Sequence, residues 1–531
     1  MGPSPSGPCV GWATVPDVLN IAVTDARIVD GSGSAAFHGA IAIAGDRIAW
    51  VGRDGAAPPA AMRTIDAGGL VLAPGFVDVH NHSDLSPLVL PEMPSTIRQG
   101  VTTVVVGNCG SSPFPLAGFR DAVGLAYAEP DEVERPAWRT WGDYVRAIDA
   151  ARPAANIANL VGHGSVRLEV MGMERRPPSH AELDRMRALV REAMAAGALG
   201  LSTGLIYVPG LFTETEEVVA VAEEVGRAGG LYASHIRNEA RGLFPAIDEA
   251  LTVGDRAGLP VHISHLKCES ASAWGRSGEL LDRIHDAADA TADQYPYTAW
   301  NSSLSSFLPA WAPVEQLERV ARDQPERLRA DVEDSSVDGI GWDHIAIVGS
   351  PDGRWNGSDV ASIAEATDMD PFAAFVRLLL DDPDTMCIGH AMHEDDVEAI
   401  LADPAIFVAS DGSATSPAGA RGELAVHPRE YGTFPRALAL CRDHRLLPLE
   451  AAVRKMTSLP AERFGLRDRG TVREGAFADL VLFDPATIRD TGTFGSPHGF
   501  PHGIDTVVVN GTVAWERAAT MIARSGRVLR R

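Results

Sequence analysis

Both ends of the chain alternate apolar and polar residues with a period of two. LNIAVTDARIVDGSG, GAIAIAGDRIAWVG and TIDAGGLVLAP near the start, and GAFADLVLFDP and DTVVVNGTVAWE near the end, break at Gly and Asp turns. That grammar predicts short strands in a small antiparallel sheet, and the two ends together complete one β-sandwich. The middle follows a different rule. Short solid apolar runs alternate with Ala/Glu/Arg-rich stretches of helical period, such as SHAELDRMRALVREAMAAG and TETEEVVAVAEEVGRAGG. This alternation predicts βα units around a parallel sheet. Eight candidate strands fall at 76–82, 102–109, 156–163, 198–204, 231–235, 260–265, 291–297 and 405–411. The expected fold class is therefore α/β, a (β/α)8 TIM-type barrel with a small β-sandwich built from both termini. The boundaries are residues 17–73 and 466–531 for the sandwich and 74–465 for the barrel, with an insertion at about 298–404. One apolar run in the insertion, TMCIGH (385–390), is left over.

Composition narrows the class. The 531 residues are 45% hydrophobic and 22% charged, values of a globular protein, and too long for one small core. A net charge of −25 argues against nucleic acid or an anionic membrane as partner. The first 20 residues lack a basic segment followed by an apolar run, and no apolar stretch approaches membrane-spanning length. Five cysteines (Cys9, Cys109, Cys268, Cys387, Cys441) make no disulfide framework, which fits a reducing cytoplasm. Lysine occurs twice, at Lys267 and Lys455.

Most of the predicted strands end on a polar or ligand-capable residue: His82, Cys109, His163, His235, His265, Tyr297 and Asp411. Barrel active sites form at the C-terminal ends of the strands, so these distant residues converge on one mouth. His80 and His82 share a strand face, where two imidazoles can hold or flank a metal, or simply pack. Cys109 reads as a core thiol, a nucleophile or a thiolate ligand; with His235 and His265 it offers a Cys/His/His set with an open fourth position, the pattern of catalytic zinc. His262 falls on the opposite strand face from His265 and reads as packing. Asp411, before Gly412, is a turn aspartate or the base that moves a proton from water to a leaving nitrogen. Lys267, Tyr297 and Arg429 lie near the same mouth and suit a substrate carboxylate.

At these residues the chain resembles the N-acyl-D-amino-acid deacylases (D-aminoacylases) of the metal-dependent amidohydrolase superfamily. The motifs that carry the resemblance are APGFVDVHNHSD, GVTTVVVGNCGSSP, GALGLSTGLIYVPG, SHIRNE, HISHLK, DQYPYTA, SDG and HPREYGTFPR, spread over nearly the whole chain. The resemblance implies a β-sandwich beside a barrel, one tight Zn2+ on Cys109, His235 and His265, and a weak second metal position flanked by His80 and His82. It also implies Asp411 as catalytic residue, with Lys267, Tyr297 and Arg429 on the substrate α-carboxylate. A preference for D over L substrates comes from the resemblance alone.

The segment TAWNSSLSSFLPAWAP after Tyr297 has no basic residue through Pro313, so the expected substrates are N-acyl-D-amino acids with neutral, hydrophobic side chains. The competing expectations are a deacylase for acidic side chains, a dipeptidase, a cyclic amidase, and a barrel scaffold without activity. Cyclic amidases of this superfamily bridge two metals with a carboxylated lysine, and neither Lys267 nor Lys455 is placed for that.

Overall fold

The computed structural model describes residues 19–115, 138, 140–334, 339–350, 353–419, 422 and 426–531. Cys9, residues 17 and 18, and part of the stretch between Asp411 and Arg429 lie outside the described residues. The chain is mixed α/β with several sheets.

Parallel pairing joins Phe76–Asp78 to Val101–Val106, and that strand to Asn156–Asn159. It continues from Val161–Gly162 through Gly200–Gly204, Leu231–His235, Val261–Ile263 and Ala290–Gln294 to Phe407–Val408. Leu199 N donates to the Asn159 carbonyl (2.8 Å), linking the third strand to the fourth. Asn81 bridges Gly412 in parallel, so the end of the last strand returns to the first. The strands are apolar runs because both faces are covered. All six residues of Val101–Val106 are buried. Val105 packs inward with Val77, Val79, Ala158, Leu160, Ala233 and Phe407. Its neighbours Val104 and Val106 belong to the layer shared with the helices, among them Met186, Val190, Val218 and Ile247.

The helices begin and end where the local chemistry directs. Ser179 and Glu182 form a capping box at the start of His180–Ala195, which satisfies two otherwise orphaned amides. Met186, Val190, Ala193 and Met194 are that helix's buried stripe, each large side chain contributing about 1.5–3 kcal/mol of burial. Thr215–Ala228 stops at Gly229, whose φ of 69° closes the helix.

Strands from both ends share one eight-stranded sheet. Val71–Pro74 is its hinge, antiparallel to Leu480–Phe483 and parallel to Leu19–Ile28. The sheet is thus mixed and not purely antiparallel, because Leu19–Ile28 also takes Ala61–Asp66 as a parallel neighbour. The period of two separates its faces: Leu480 and Leu482 pack with Ile21, Ile43 and Leu72, whereas Val481 and Phe483 pack against the helix layer through Phe76 and Phe434.

The residues after Tyr297 build a core of their own, with Trp300, Leu304, Phe307, Ile345 and Phe375. The apolar run 385–390 finds its place here: Met386–Gly389 is the middle strand of a three-stranded antiparallel sheet, between Trp300–Ser303 and Ile345–Gly349. No described helix is long and apolar enough to cross a membrane.

Candidate metal centre and active site

Three of the candidate residues sit just beyond the strand ladders, on strained backbone. Cys109, His265 and Asp411 have φ of 51°, 36° and 49°, a region that side-chain-bearing residues seldom occupy. The sequence pattern places them on the strands; in the structure the ladders stop at Val106, Ile263 and Val408, and the chain turns before each side chain is delivered. Gly107 makes the first turn possible. Its φ is 80°, and a Cβ there would lie 2.1 Å from the Leu160 carbonyl oxygen.

The turns converge. Cys109 Sγ lies 3.2 Å from His80 Nε2, 3.6 Å from His235 Nδ1 and 3.6 Å from His265 Nε2. Asp411 Oδ1 is 3.3 Å from His80 Nε2 and 3.1 Å from His82 Nε2, so both imidazoles of the pair reach one carboxylate. Ligand atoms of His80, Cys109, His265 and Asp411 all fall within 4.8 Å of one another, a group able to hold a metal ion. His235, Glu239 and His265 form a second such group.

Backbone pairing between the first and last strands sets this register. Asp411 N donates to the His80 carbonyl (2.8 Å) and His82 N to that of Gly412 (2.8 Å). Buried Asp78 accepts from Ser410 N (2.9 Å) and from Asn81 Nδ2 (2.9 Å), stapling the two strands behind the site. Asp293 accepts the His265 amide (2.8 Å) and holds His262 Nε2 (2.8 Å). His262, stacked on Phe407, is a packing histidine.

The electrostatics favour the charged forms of thiol and carboxylate. Burial pushes the Cys109 thiol up, but His80, His235 and His265 pull it well below the ordinary thiol range. Burial likewise opposes ionisation of Asp411, and Arg429, His265 and His80 overcome it, holding the carboxyl well below its ordinary range. Arg429 opens the helix Arg429–Asp443, and its guanidinium reaches Asp411 Oδ2 at 2.8 Å.

The other candidates divide. Lys267 Nζ donates to Glu239 (2.7 Å) and lies 2.9 Å from His265 Nδ1. Of the two tyrosines in Tyr295-Pro296-Tyr297, it is Tyr295 whose ring lies under Arg429 (4.8 Å) and Lys267 (5.7 Å). Its buried hydroxyl has no hydrogen-bond partner among the described residues. Tyr297 sits instead against Arg436 and His427, its hydroxyl 3.5 Å from the Pro428 carbonyl oxygen. His163 opens a helix and turns to Glu217 (3.0 Å), which also takes Arg167, so it does not join the cluster. Lys455 is buried elsewhere, donating to the carbonyls of Leu401 and Asp403.

Four contributors escaped the sequence reading: Glu239, Asp293, Tyr295 and Tyr207. Glu239 had a signal, standing four residues after His235 in SHIRNE. Tyr207 had none. Its ring meets that of His235 at 4.9 Å, and its hydroxyl faces Ser302 in the segment after Tyr297.

Comparison with known proteins bears on this arrangement. The amidohydrolase family model matches residues 63–514. The chain is 38% identical to the N-acyl-D-aspartate deacylase of Alcaligenes xylosoxydans xylosoxydans over 97% of its own length and 95% of that protein. It is 35% identical to the D-aminoacylase of the same organism, covering 97% and 98%. Among solved structures, the N-acyl-D-glutamate deacylase from Bordetella bronchiseptica, complexed with zinc and a phosphonate inhibitor that mimics the tetrahedral intermediate, superposes with a TM-score of 0.82. It is 35% identical, with 97% of this chain and 100% of that one covered.

Proposed function

Starting from the fact that the chain belongs to the amidohydrolase family, among its N-acyl-D-amino-acid deacylases, we propose that it cleaves the amide bond of N-acyl-D-amino acids in a zinc-dependent reaction. The products are a carboxylate and a free D-amino acid. The ring of parallel pairings is read as a (β/α)8 barrel spanning 74–465, with an insertion at about 298–404. The mixed terminal sheet is the second domain, from 17–73 and 466–531.

The observation that carries this reading is the set of separations around Cys109. A tetrahedral zinc with sulfur at ~2.3 Å and nitrogen at ~2.0–2.1 Å sets its sulfur and nitrogen ligands about 3.6 Å apart. Cys109 Sγ stands 3.6 Å from both His235 Nδ1 and His265 Nε2. These three residues would hold the tight ion, and His80 and His82 flank a weaker second position. Zinc, when bound, polarises the scissile carbonyl and makes water more acidic.

The chain's own groups supply the rest. Asp411, kept ionised by Arg429, accepts a proton from the attacking water and returns it to the departing nitrogen. That return is required because an amide nitrogen leaves as an amine and not as an anion. Lys267, Tyr295 and Arg429 surround the place for the substrate α-carboxylate; Tyr297 is one layer behind. Ser302 brings the segment after Tyr297 up to Tyr207 and His235. With no cation from Thr298 to Pro313, that segment suits a neutral, hydrophobic side chain.

One observation favours acidic side chains as a second reading. Arg175 donates to the Ala310 carbonyl (2.9 Å) and stacks on Phe212 (4.8 Å), which sets a guanidinium beside the same segment. A panel of N-acetyl-D- and L-amino acids, with zinc measured on the same sample, decides. The expected order of kcat/KM is D-leucine and D-phenylalanine above D-glutamate, and D above L. Faster turnover of D-glutamate sinks the side-chain preference, and a zinc-loaded protein that cleaves no N-acyl-D-amino acid sinks the deacylase reading.

A further inference from the structure

We propose that Glu239 is a positioning residue whose single carboxylate orients both histidines of the zinc set, one oxygen toward each, with Lys267 clamping it in place. This rests on the reading above that Cys109, His235 and His265 hold zinc.

The two imidazoles present different nitrogens to the thiolate. His265 turns Nε2 toward Cys109 and Nδ1 away; His235 turns Nδ1 toward Cys109 and Nε2 away. Both outward nitrogens meet Glu239. Oε1 lies 3.0 Å from His265 Nδ1, and Oε2 lies 3.6 Å from His235 Nε2. The first is a hydrogen-bond distance; the second is an electrostatic contact to a buried nitrogen that has no hydrogen-bond partner among the described residues. A ligand imidazole needs its proton on the nitrogen that faces away from the metal, and an acceptor there fixes both tautomer and ring angle. One carboxylate here stands at opposite nitrogens of the two rings; with a proton on His265 Nδ1, Lys267 directs its own to Glu239 Oε1.

Glu239 is itself held. Lys267 Nζ donates to Oε1 at 2.7 Å and stands 2.9 Å from His265 Nδ1. The ammonium therefore occupies the ground between Glu239 and His265, where a cation bound to the His235/Glu239/His265 group would have to sit. This assigns that group to support of the neighbouring ion and not to a separate metal. The loop is stiff: Asn238 Oδ1 accepts the amides of Ala240 (3.0 Å) and Gly242 (2.8 Å), Arg237 grips Glu249 with two bonds, and the Glu239 carbonyl takes the Glu269 amide (3.0 Å).

The test is zinc affinity, read by competition with a chelator on the full chain, with circular dichroism as the check on folding. Glu239→Gln keeps the shape and removes the charge, and should weaken zinc by about 10–100-fold, the range for loss of a ligand's outer partner. Glu239→Asp keeps the charge and the tie to Lys267 but shortens the reach, and should fall between Gln and wild type. Wild-type zinc affinity in both variants overturns the proposal, and so does a raised KM with unchanged zinc affinity, which would move Glu239 to the substrate. A wild-type protein that takes up no zinc overturns the zinc reading itself, an outcome visible before any variant is made.

Discussion

Replacing Asp411 with asparagine removes one charge and almost no volume. The aspartate is the only carboxylate among the described residues that touches His80, His82 and Arg429 together, at 3.3, 3.1 and 2.8 Å. Asparagine keeps an amide oxygen for the guanidinium but cannot accept a proton from water. Loss of a positioned general base costs about 10²–10⁴-fold in rate, which at 1.36 kcal/mol per decade is about 2.7–5.4 kcal/mol of transition-state stabilisation. Stability should fall too, since the Arg429 and Asp411 side chains are only 4% and 11% exposed. Breaking such a buried pair costs about 3–5 kcal/mol, and the amide oxygen keeps the loss at the lower end. The tight zinc should stay, because Cys109, His235 and His265 are untouched; any loss falls on the weaker position beside His80 and His82. The assay is amine release from an N-acetyl-D-amino acid, alongside zinc measured on the same protein. A zinc-loaded Asp411→Asn enzyme retaining more than about one tenth of wild-type kcat/KM, less than one decade of loss, refutes the role given to Asp411.

Two further perturbations separate ligand from scaffold. Cys109→Ala should purify with substoichiometric zinc and no activity while its circular dichroism stays native; full activity with zinc retained would make Cys109 a core thiol. Lys455, whose pKa burial pulls down to about 8, should make stability depend on pH. In the unfolded chain lysine titrates near ~10.4, so between these values the unfolded state binds the extra proton and stability rises with pH, by at most about 3 kcal/mol. Urea unfolding at pH 7.5 and about 9.5 should show this rise in the wild type and a smaller one in Lys455→Met; identical slopes would mean that Lys455 folds in its charged form.

Period and composition made the elements legible, because a strand buried on both faces must be apolar throughout and a helix on its outside must show a stripe. The Val104-Val105-Val106 run and the Met186/Val190 stripe are direct images of burial. The strand at Met386–Gly389 was recognisable as apolar but not placeable, since both of its partners, Trp300–Ser303 and Ile345–Gly349, lie far from it in sequence. Where a ladder ends is likewise a property of the neighbour. The seventh strand stops at Gln294, and this makes Tyr295, and not Tyr297, the tyrosine that faces Arg429. His163 looked like any other strand-end histidine until Glu217 and Arg167 claimed it.

By itself the sequence determined which residues had the chemistry for the site: a thiol, imidazoles and a carboxylate spaced at the ends of successive apolar runs. That information is local, since side-chain type and period are written along the chain. Only the tertiary structure decided which of them meet, which nitrogen of each imidazole faces the thiolate, and that Glu239 and Lys267 stand behind. Those depend on turns at positive φ and on contacts between segments far apart in sequence, such as Asp411 with His80, which backbone pairing between the first and last strands brings together.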